Sequence, residues 1–425
     1  MSNRTETFLS DVTRRAFLGT SIAGTISLIT PMQGQAAVQC SVRDIKTITN
    51  GPKSYCGWPT VTRRANGELI VVWSGGRDRH ICPFGSVQMM RSSDNGETWT
   101  WPRTILDGAA DDRDAGILET SRGTLLITTF TSLAYESLLN AELERIAEKK
   151  NKKKNKNRAS TEKSDQEKED DEKEKKKVKP WPKKQLNQWL AAHNRLSDEQ
   201  RQAEKGEWMI RSTDGGVTWS ERYPTIVNSP HGPIELSDGR LLYAGKELWN
   251  DSNRIGVCVS EDDGLSWKWL AEIPTRCGDD PKAYHELHAV EATDGRIIVH
   301  IRNHNKKDPS ATLQSESCDG GRTWSVPKTI GVWGFPSFLT RLRDGRLLMS
   351  YGYRKKPYGN LARVSTDCGH SWSEPITISD DGPVGDLGYP STVELDDGTL
   401  LTIWYEGVGN GHHAVLRQAR WTLDA

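Results

Sequence analysis

The 425-residue sequence has no net charge: Lys+Arg and Asp+Glu each total 57, so the global balance gives no reason to expect nucleic acid or an anionic membrane as partner. Long hydrophobic runs are missing as well. Beyond the N-terminal segment no stretch is apolar enough to span a bilayer, which argues against stable membrane insertion. There is no C-x-x-C pair and no His cluster with ligand spacing, so no metal site and no cofactor is expected. Cysteine is sparse and odd in number: Cys40, Cys56, Cys82, Cys258, Cys277, Cys318 and Cys368 leave at least one thiol unpaired within a monomer.

Repetition dominates what is present. The pattern S-x-D-x-G-x-[T/S]-W occurs five times, beginning at Ser92, Ser212, Ser260, Ser317 and Ser365 and ending at Trp99, Trp219, Trp267, Trp324 and Trp372. Ser and Asp side chains bond nearby backbone N–H groups, Gly supplies a positive φ, and Trp packs beneath, so each box reads as a hairpin turn. A second repeat, a turn followed by an apolar strand, begins at Ala65, Ser121, Ser237, Thr293, Arg343 and Asp396. Each copy reads as a hairpin of two inner strands, and five are followed by a box that joins two outer strands. Six such units predict an all-β fold, a six-bladed β-propeller. The sixth unit lacks the box. Its third strand is read in AVLRQARWTL and its fourth in VRDIKTI, so that the N-terminal strand closes the ring as a clasp.

Two segments stand outside the repeat. Residues 1–37 contain Thr13-Arg14-Arg15-Ala16-Phe17-Leu18, a mildly apolar run to Met32, and small residues at Ala36 and Ala37, the pattern of a twin-arginine-type export signal. That pattern predicts export in the folded state to a periplasmic or extracellular location. The single propeller domain then spans 38–425 and is interrupted at 133–206, between the second and third strands of unit two. The flanks of this insertion place Leu, Ile, Trp and Ala at helical spacing, whereas 151–179 is almost wholly Lys, Glu, Asp and Asn. A helical hairpin with a disordered charged tip is expected, because such a tip has no apolar surface to bury.

Chemistry on a propeller belongs at the mouth of the central channel, where the inner strands begin. The segment His285-Glu286-Leu287-His288 turns back at Asp294-Gly295 to Arg302-Asn303, which brings Glu286 and Arg302 to one channel end. The last unit has Gly388-Tyr389-Pro390, a turn at Asp397-Gly398, and then Trp404-Tyr405-Glu406. Together with the boxes, these strand pairs resemble the sialidase family, whose six-bladed propellers carry the same repeats. The resemblance covers nearly all of the chain outside the signal and the insertion. It implies a retaining glycoside hydrolase of exo-α-sialidase type that releases terminal sialic or related acidic sugars from glycans. In that reading Tyr389 is the nucleophile and Glu286 the base that takes its proton. A neutral phenol suits an anionic sugar, which repels a carboxylate nucleophile.

The resemblance also implies arginines on the substrate carboxylate, because guanidinium forks bind that group bidentately. Arg302 and Arg354 match two of them, with Arg363 competing for the second place. Where the family shows Arg-Ile-Pro, this chain has Gly57-Trp58-Pro59. Arg77 and Asp78 match the family's arginine at the end of the next strand and the acid that protonates the leaving group. Asp111-Asp112-Arg113-Asp114 lies outside the family pattern and offers Arg113 and Asp114 as substrate contacts, Asp114 as an alternative acid, or a buried ion-pair latch between blades. His231 is a candidate contact to a sugar hydroxyl or another acid.

Two further readings keep the propeller and the glycan partner. One is a different glycosidase, or a lyase for uronic-acid polysaccharide, using His231 or His285 as acid or base. The other is a carbohydrate-binding propeller without catalysis.

Overall fold

The structure, a computed structural model, describes residues 40–49, 54–158, 180–250, 252–409 and 412–423. The predicted export signal and residues 159–179 of the charged tip lie outside these.

The strands fall into antiparallel sets of four. The first comprises β2 (Tyr55–Arg63), β3 (Leu69–Arg77), β4 (Ser86–Ser92) and β5 (Arg103–Leu106); the second β6 (Asp111–Glu119), β7 (Leu125–Ser132), β8 (Gly206–Ser212) and β9 (Tyr223–Pro224). The third holds β10 (Ile234–Glu235), β11 (Leu241–Lys246), β12 (Ile255–Ser260) and β13 (Lys268–Glu272), and the fourth β14 (Tyr284–Glu291), β15 (Ile297–Asn303), β16 (Ala311–Ser317) and β17 (Lys328–Trp333). The fifth holds β18 (Ser337–Arg341), β19 (Leu347–Tyr353), β20 (Tyr358–Ser365) and β21 (Ile376–Gly382). The last joins β22 (Leu387–Glu394), β23 (Leu400–Val408) and β24 (His413–Leu423) to β1 (Cys40–Thr47), which pairs along β24 from Cys40↔Leu423 to Thr47↔Arg417. The N-terminal strand thus completes the last set as the repeat pattern predicts. A single parallel bridge, Tyr55↔Ala414, ties that set to the first.

Second strands such as β3, β11 and β19 are buried along almost their whole length, because neighbouring sets pack against both of their faces. Their sequences are accordingly continuous apolar runs rather than alternating ones. Each buried Leu, Ile or Val there contributes about 1.5–3 kcal/mol. Fourth strands such as β13 and β17 are largely solvated. Antiparallel order puts the turn between first and second strands, and in five sets the box, at one end of each set. First-strand starts and second-strand ends lie at the other.

Between β7 and β8 the chain leaves the sheet for α1 (Tyr135–Arg158), α2 (Lys183–His193) and α3 (Asp198–Glu204). Trp189 of α2 is fully buried with Tyr135, Leu139, Cys82 and Ala110, so the helices are packed onto the first set and not loose. Helix α3 starts at a reciprocal cap in which Ser197 and Gln200 satisfy each other's backbone N–H groups. Helix α1 continues to Arg158, into the charged stretch whose composition predicts disorder; Lys, Glu and Arg are good helix formers even without a buried face. Among the described residues no helix is long and apolar enough to cross a membrane.

Candidate functional site

Four first strands break register at corresponding points. Pairing skips from Gly57 to Thr60 in β2, from Arg113 to Gly116 in β6, from His285 to His288 in β14 and from Gly388 to Ser391 in β22. In each, two residues oppose one on the partner strand, which is a β-bulge. The first residue of each bulge has a left-handed backbone: Trp58 (φ 56°), Asp114 (φ 50°), Glu286 (φ 47°) and Tyr389 (φ 53°). Non-glycine residues pay about 1–3 kcal/mol for such a conformation, and it persists where surrounding structure over-determines it, typically at functional sites.

The Tyr389 hydroxyl donates to one oxygen of Glu286, while the Arg302 guanidinium donates to the other at 2.5 Å and lies 3.1 Å from the Tyr389 oxygen. Burial acts to raise the Glu286 carboxyl, but the Arg302 charge and hydrogen bond outweigh it and hold the group at about 2. Burial, with the Glu286 charge, pushes the Tyr389 phenol well above its ordinary value. The proton therefore rests on Tyr389, with an ionised acceptor already in contact and a cation beside the oxygen. In this arrangement the phenol proton has a direct path to the carboxylate, which is the chemistry needed to raise the nucleophilicity of a phenol.

Arg302 and Arg354 stand over one ring, Phe335, at 4.2 and 5.1 Å. Arg354 also donates to the Leu387 carbonyl at 2.9 Å and to the Tyr405 hydroxyl at 3.2 Å. Arg363 instead donates to the Ser373 carbonyl at 2.5 Å, away from this group, so Arg354 is the arginine that β19 delivers. Arg113 stacks on Trp58 at 4.4 Å, and the Trp58 ring lies 6.4 Å from that of Tyr389. Asp114 is 7% exposed and has no hydrogen-bond partner among the described residues. Burial, reinforced by the Glu286 charge against the opposing arginines, pushes its carboxyl up to about 7. It therefore holds a proton near neutrality.

Three expectations are corrected. Arg77 does not face a substrate: it is 1% exposed and held bidentately by Asp111 at 2.6 and 3.0 Å. Within the Asp111-to-Asp114 run, Asp111 forms the buried latch to the first set and also meets Arg113 at 3.4 Å, while Asp114 stays without a hydrogen-bond partner among the described residues. Asp78 accepts through Oδ2 from Trp189 at 2.9 Å and Gln185 at 3.2 Å of α2, and it makes no hydrogen bond to Glu286, Tyr389 or Asp114. The insertion captures the residue that the family pattern assigns as acid. His231 is 2% exposed, bonded to Thr60 at 3.2 Å and packed edge-on to Phe338, and burial lowers it to about 3. It is a neutral imidazole among the inner strands, its ring 6.3 Å from that of Tyr389.

A second cluster escaped the sequence reading. Asp386 accepts from Tyr55 and Tyr405, each at 2.8 Å, and lies 3.4 Å from His80, which also contacts the Tyr55 hydroxyl at 2.7 Å. Burial favours the neutral acid, but the bonds from His80, Tyr405 and Tyr55 keep Asp386 below the usual carboxylate range. The available signal was an offset. Tyr55, Asp111 and Asp386 each precede a bulge residue by the same spacing, which is visible only after the bulges are aligned. No group of three or more His, Cys, Asp or Glu suited to a metal occurs among the described residues.

Residues 146–402 match the model of the BNR repeat-like domain. The sialidase of Micromonospora viridifaciens is 28% identical over 217 residues, a match that spans 41% of this chain and only about a third (32%) of that protein. Among solved structures, a protein of unknown function from Dyadobacter fermentans superposes with a TM-score of 0.67 at 22% identity, covering 91% of this chain and 99% of its own. The intramolecular trans-sialidase from Ruminococcus gnavus, solved with oseltamivir carboxylate, gives 0.56 at 14% identity, covering 89% and 97%. At these identities the structural likeness is one of fold, and that fold is propeller-like. With the repeat match covering more than half of its length, the chain belongs to the BNR repeat-like, sialidase-related family.

Proposed function

We propose that this protein is an exported, sialidase-like retaining glycoside hydrolase that removes a terminal sialic or related acidic sugar from glycans. Its six four-strand sets are read as the blades of a six-bladed β-propeller, with α1, α2 and α3 as an insertion in the second. One observation carries the proposal: Tyr389 and Glu286, both on strained bulges, share a hydrogen bond whose acceptor is ionised and whose far side is held by Arg302. Tyr389 attacks the anomeric carbon as its proton passes to Glu286, and the leaving oxygen takes a proton from Asp114. Arg302 and Arg354 hold the substrate carboxylate. Arg113, stacked on Trp58, supplies the cation that the family places at the Gly57 position. Water then releases the sugar from Tyr389. Export rests on the sequence pattern of Arg14-Arg15, the apolar run to Met32 and the small residues Ala36 and Ala37.

Hydrolysis of a fluorogenic sialoside by the mature protein, beside Tyr389→Phe and Glu286→Gln, tests this reading. An inactive wild type, or full activity in Tyr389→Phe, sinks it. Release of an unsaturated sugar with new ultraviolet absorbance would instead identify a lyase.

A further inference from the structure

Beyond Arg302 and Arg354 the site continues onto a surface that cleaving a single terminal sugar does not require. The Phe335 ring that carries both guanidinium groups lies 6.0 Å from Trp333, and Trp333 lies 5.5 Å from Tyr353. The Lys355 ammonium sits 4.0 Å over the Trp333 ring. All three rings are partly exposed and Lys355 is exposed. They come from the end of β17, the connection into β18 and the end of β19, all at the end of the molecule that holds Glu286 and Tyr389. Among the described residues Lys355 has no carboxylate partner and the Trp333 indole N–H has no acceptor. A cation that rests on a ring but has no carboxylate, and an indole donor without an acceptor, thus sit on an aromatic cluster joined to the carboxylate-binding arginines.

We propose that Phe335, Trp333, Tyr353 and Lys355 form a subsite for a second sugar that bears an anionic group, the sugar to which the cleaved residue is attached. Aromatic rings suit the C–H face of a pyranose, and the tryptophan combines that surface with a donor. Lys355 and the indole N–H meet a carboxylate or a sulfate ester, and the route from Arg302 through Phe335 to Trp333 is continuous. The proposal deepens the hydrolase reading above and rests on it.

The test compares neutral sialyl-lactose with two anionic substrates: an α2,8-linked sialic acid dimer, which carries a carboxylate, and sialyl-lactose sulfated on galactose. Wild type should prefer an anionic substrate, and which of the two it prefers identifies the group. In Trp333→Ala and in Lys355→Glu the anionic-to-neutral ratio of kcat/KM should fall about tenfold, through KM, with Lys355→Arg restoring most of it. An unmoved ratio in both variants overturns the subsite. Calorimetric titration of Tyr389→Phe with the dimer reads binding without turnover. Weaker binding after adding Lys355→Glu supports the subsite, and unchanged binding overturns it, even if wild type hydrolyses no sialoside and the hydrolase reading has failed.

Discussion

The two ends of the four-strand sets treat repetition in opposite ways. At the box end, five turns use one hydrogen-bond scheme: Ser Oγ accepts from the Gly N–H at 2.8–3.0 Å and donates to Asp Oδ1 at 2.7–2.8 Å. The same Asp caps the backbone and hydroxyl of the Thr or Ser that precedes Trp. At the site end, four strands again share one backbone device, the bulge, yet its first residue is Trp58, Asp114, Glu286 or Tyr389. Where side chains repeat, they close their own turns. Where only the backbone repeats, the side chains are free to differ, and there the chemistry collects.

Substitutions can break this contrast from either end. The largest effect is expected at the bulges: Tyr389→Phe should lower sialoside kcat/KM by about 10³-fold or more while the melting temperature moves little, and Glu286→Gln should lower it as far but also cost stability, because it leaves the Arg302 guanidinium without its carboxylate. Steady-state kinetics beside calorimetry would show it. Arg302→Met leaves the half-buried Glu286 carboxylate without its cation, so equilibrium denaturation should show a loss of at most about 3 kcal/mol, with KM raised as well.

Asp114 and Glu286 separate by pH. The Asp114 carboxyl is raised from 3.8 to about 7 by burial, so the native state holds its proton where the unfolded chain does not. Its contribution is complete below 3.8 and is lost as pH rises toward 7, and Asp114→Asn should flatten that part of a stability profile and remove an alkaline limb of kcat near 7. Glu286, depressed from 4.5 to about 2, has the opposite sign: its contribution is present above 4.5 and disappears as pH falls toward 2. A kcat profile of Asp114→Asn identical to wild type would remove Asp114 as the acid.

The smallest effect belongs to the box end. Ser365→Ala leaves the buried Gly369 N–H without its acceptor and should cost about 1–3 kcal/mol by denaturation, with the same kcat/KM. A kinetic defect there would mean that the two ends are coupled, contrary to the contrast above.

The box turns were legible because each is satisfied within eight consecutive residues. Pairing of Glu286 with Arg302 was legible because one hairpin joins them, and Tyr389 because its own hairpin places it at the same end. Asp78 was misplaced for the converse reason. Its partner Trp189 is more than a hundred residues away, inside an insertion that no repeat constrains. Arg77 and His231 were misjudged because a charge or an imidazole in sequence carries no mark of burial. The cluster of Tyr55, His80, Asp386 and Tyr405 draws on both ends of the chain and was invisible for that reason.

Local chemistry, then, is enough to specify the repeated turns, the strands between them and the residue types at the first-strand starts, because those depend on neighbours along the chain. Only the tertiary structure decides which charged groups are sealed and which stay available. Arg77 and Arg113 lie on successive sets, and both contact Asp111 and stand over the Trp58 ring, but Arg77 is held bidentately and buried while Arg113 stays partly exposed. Desolvation and pairing depend on what packs from elsewhere, and those distances exist only once the sets have come together.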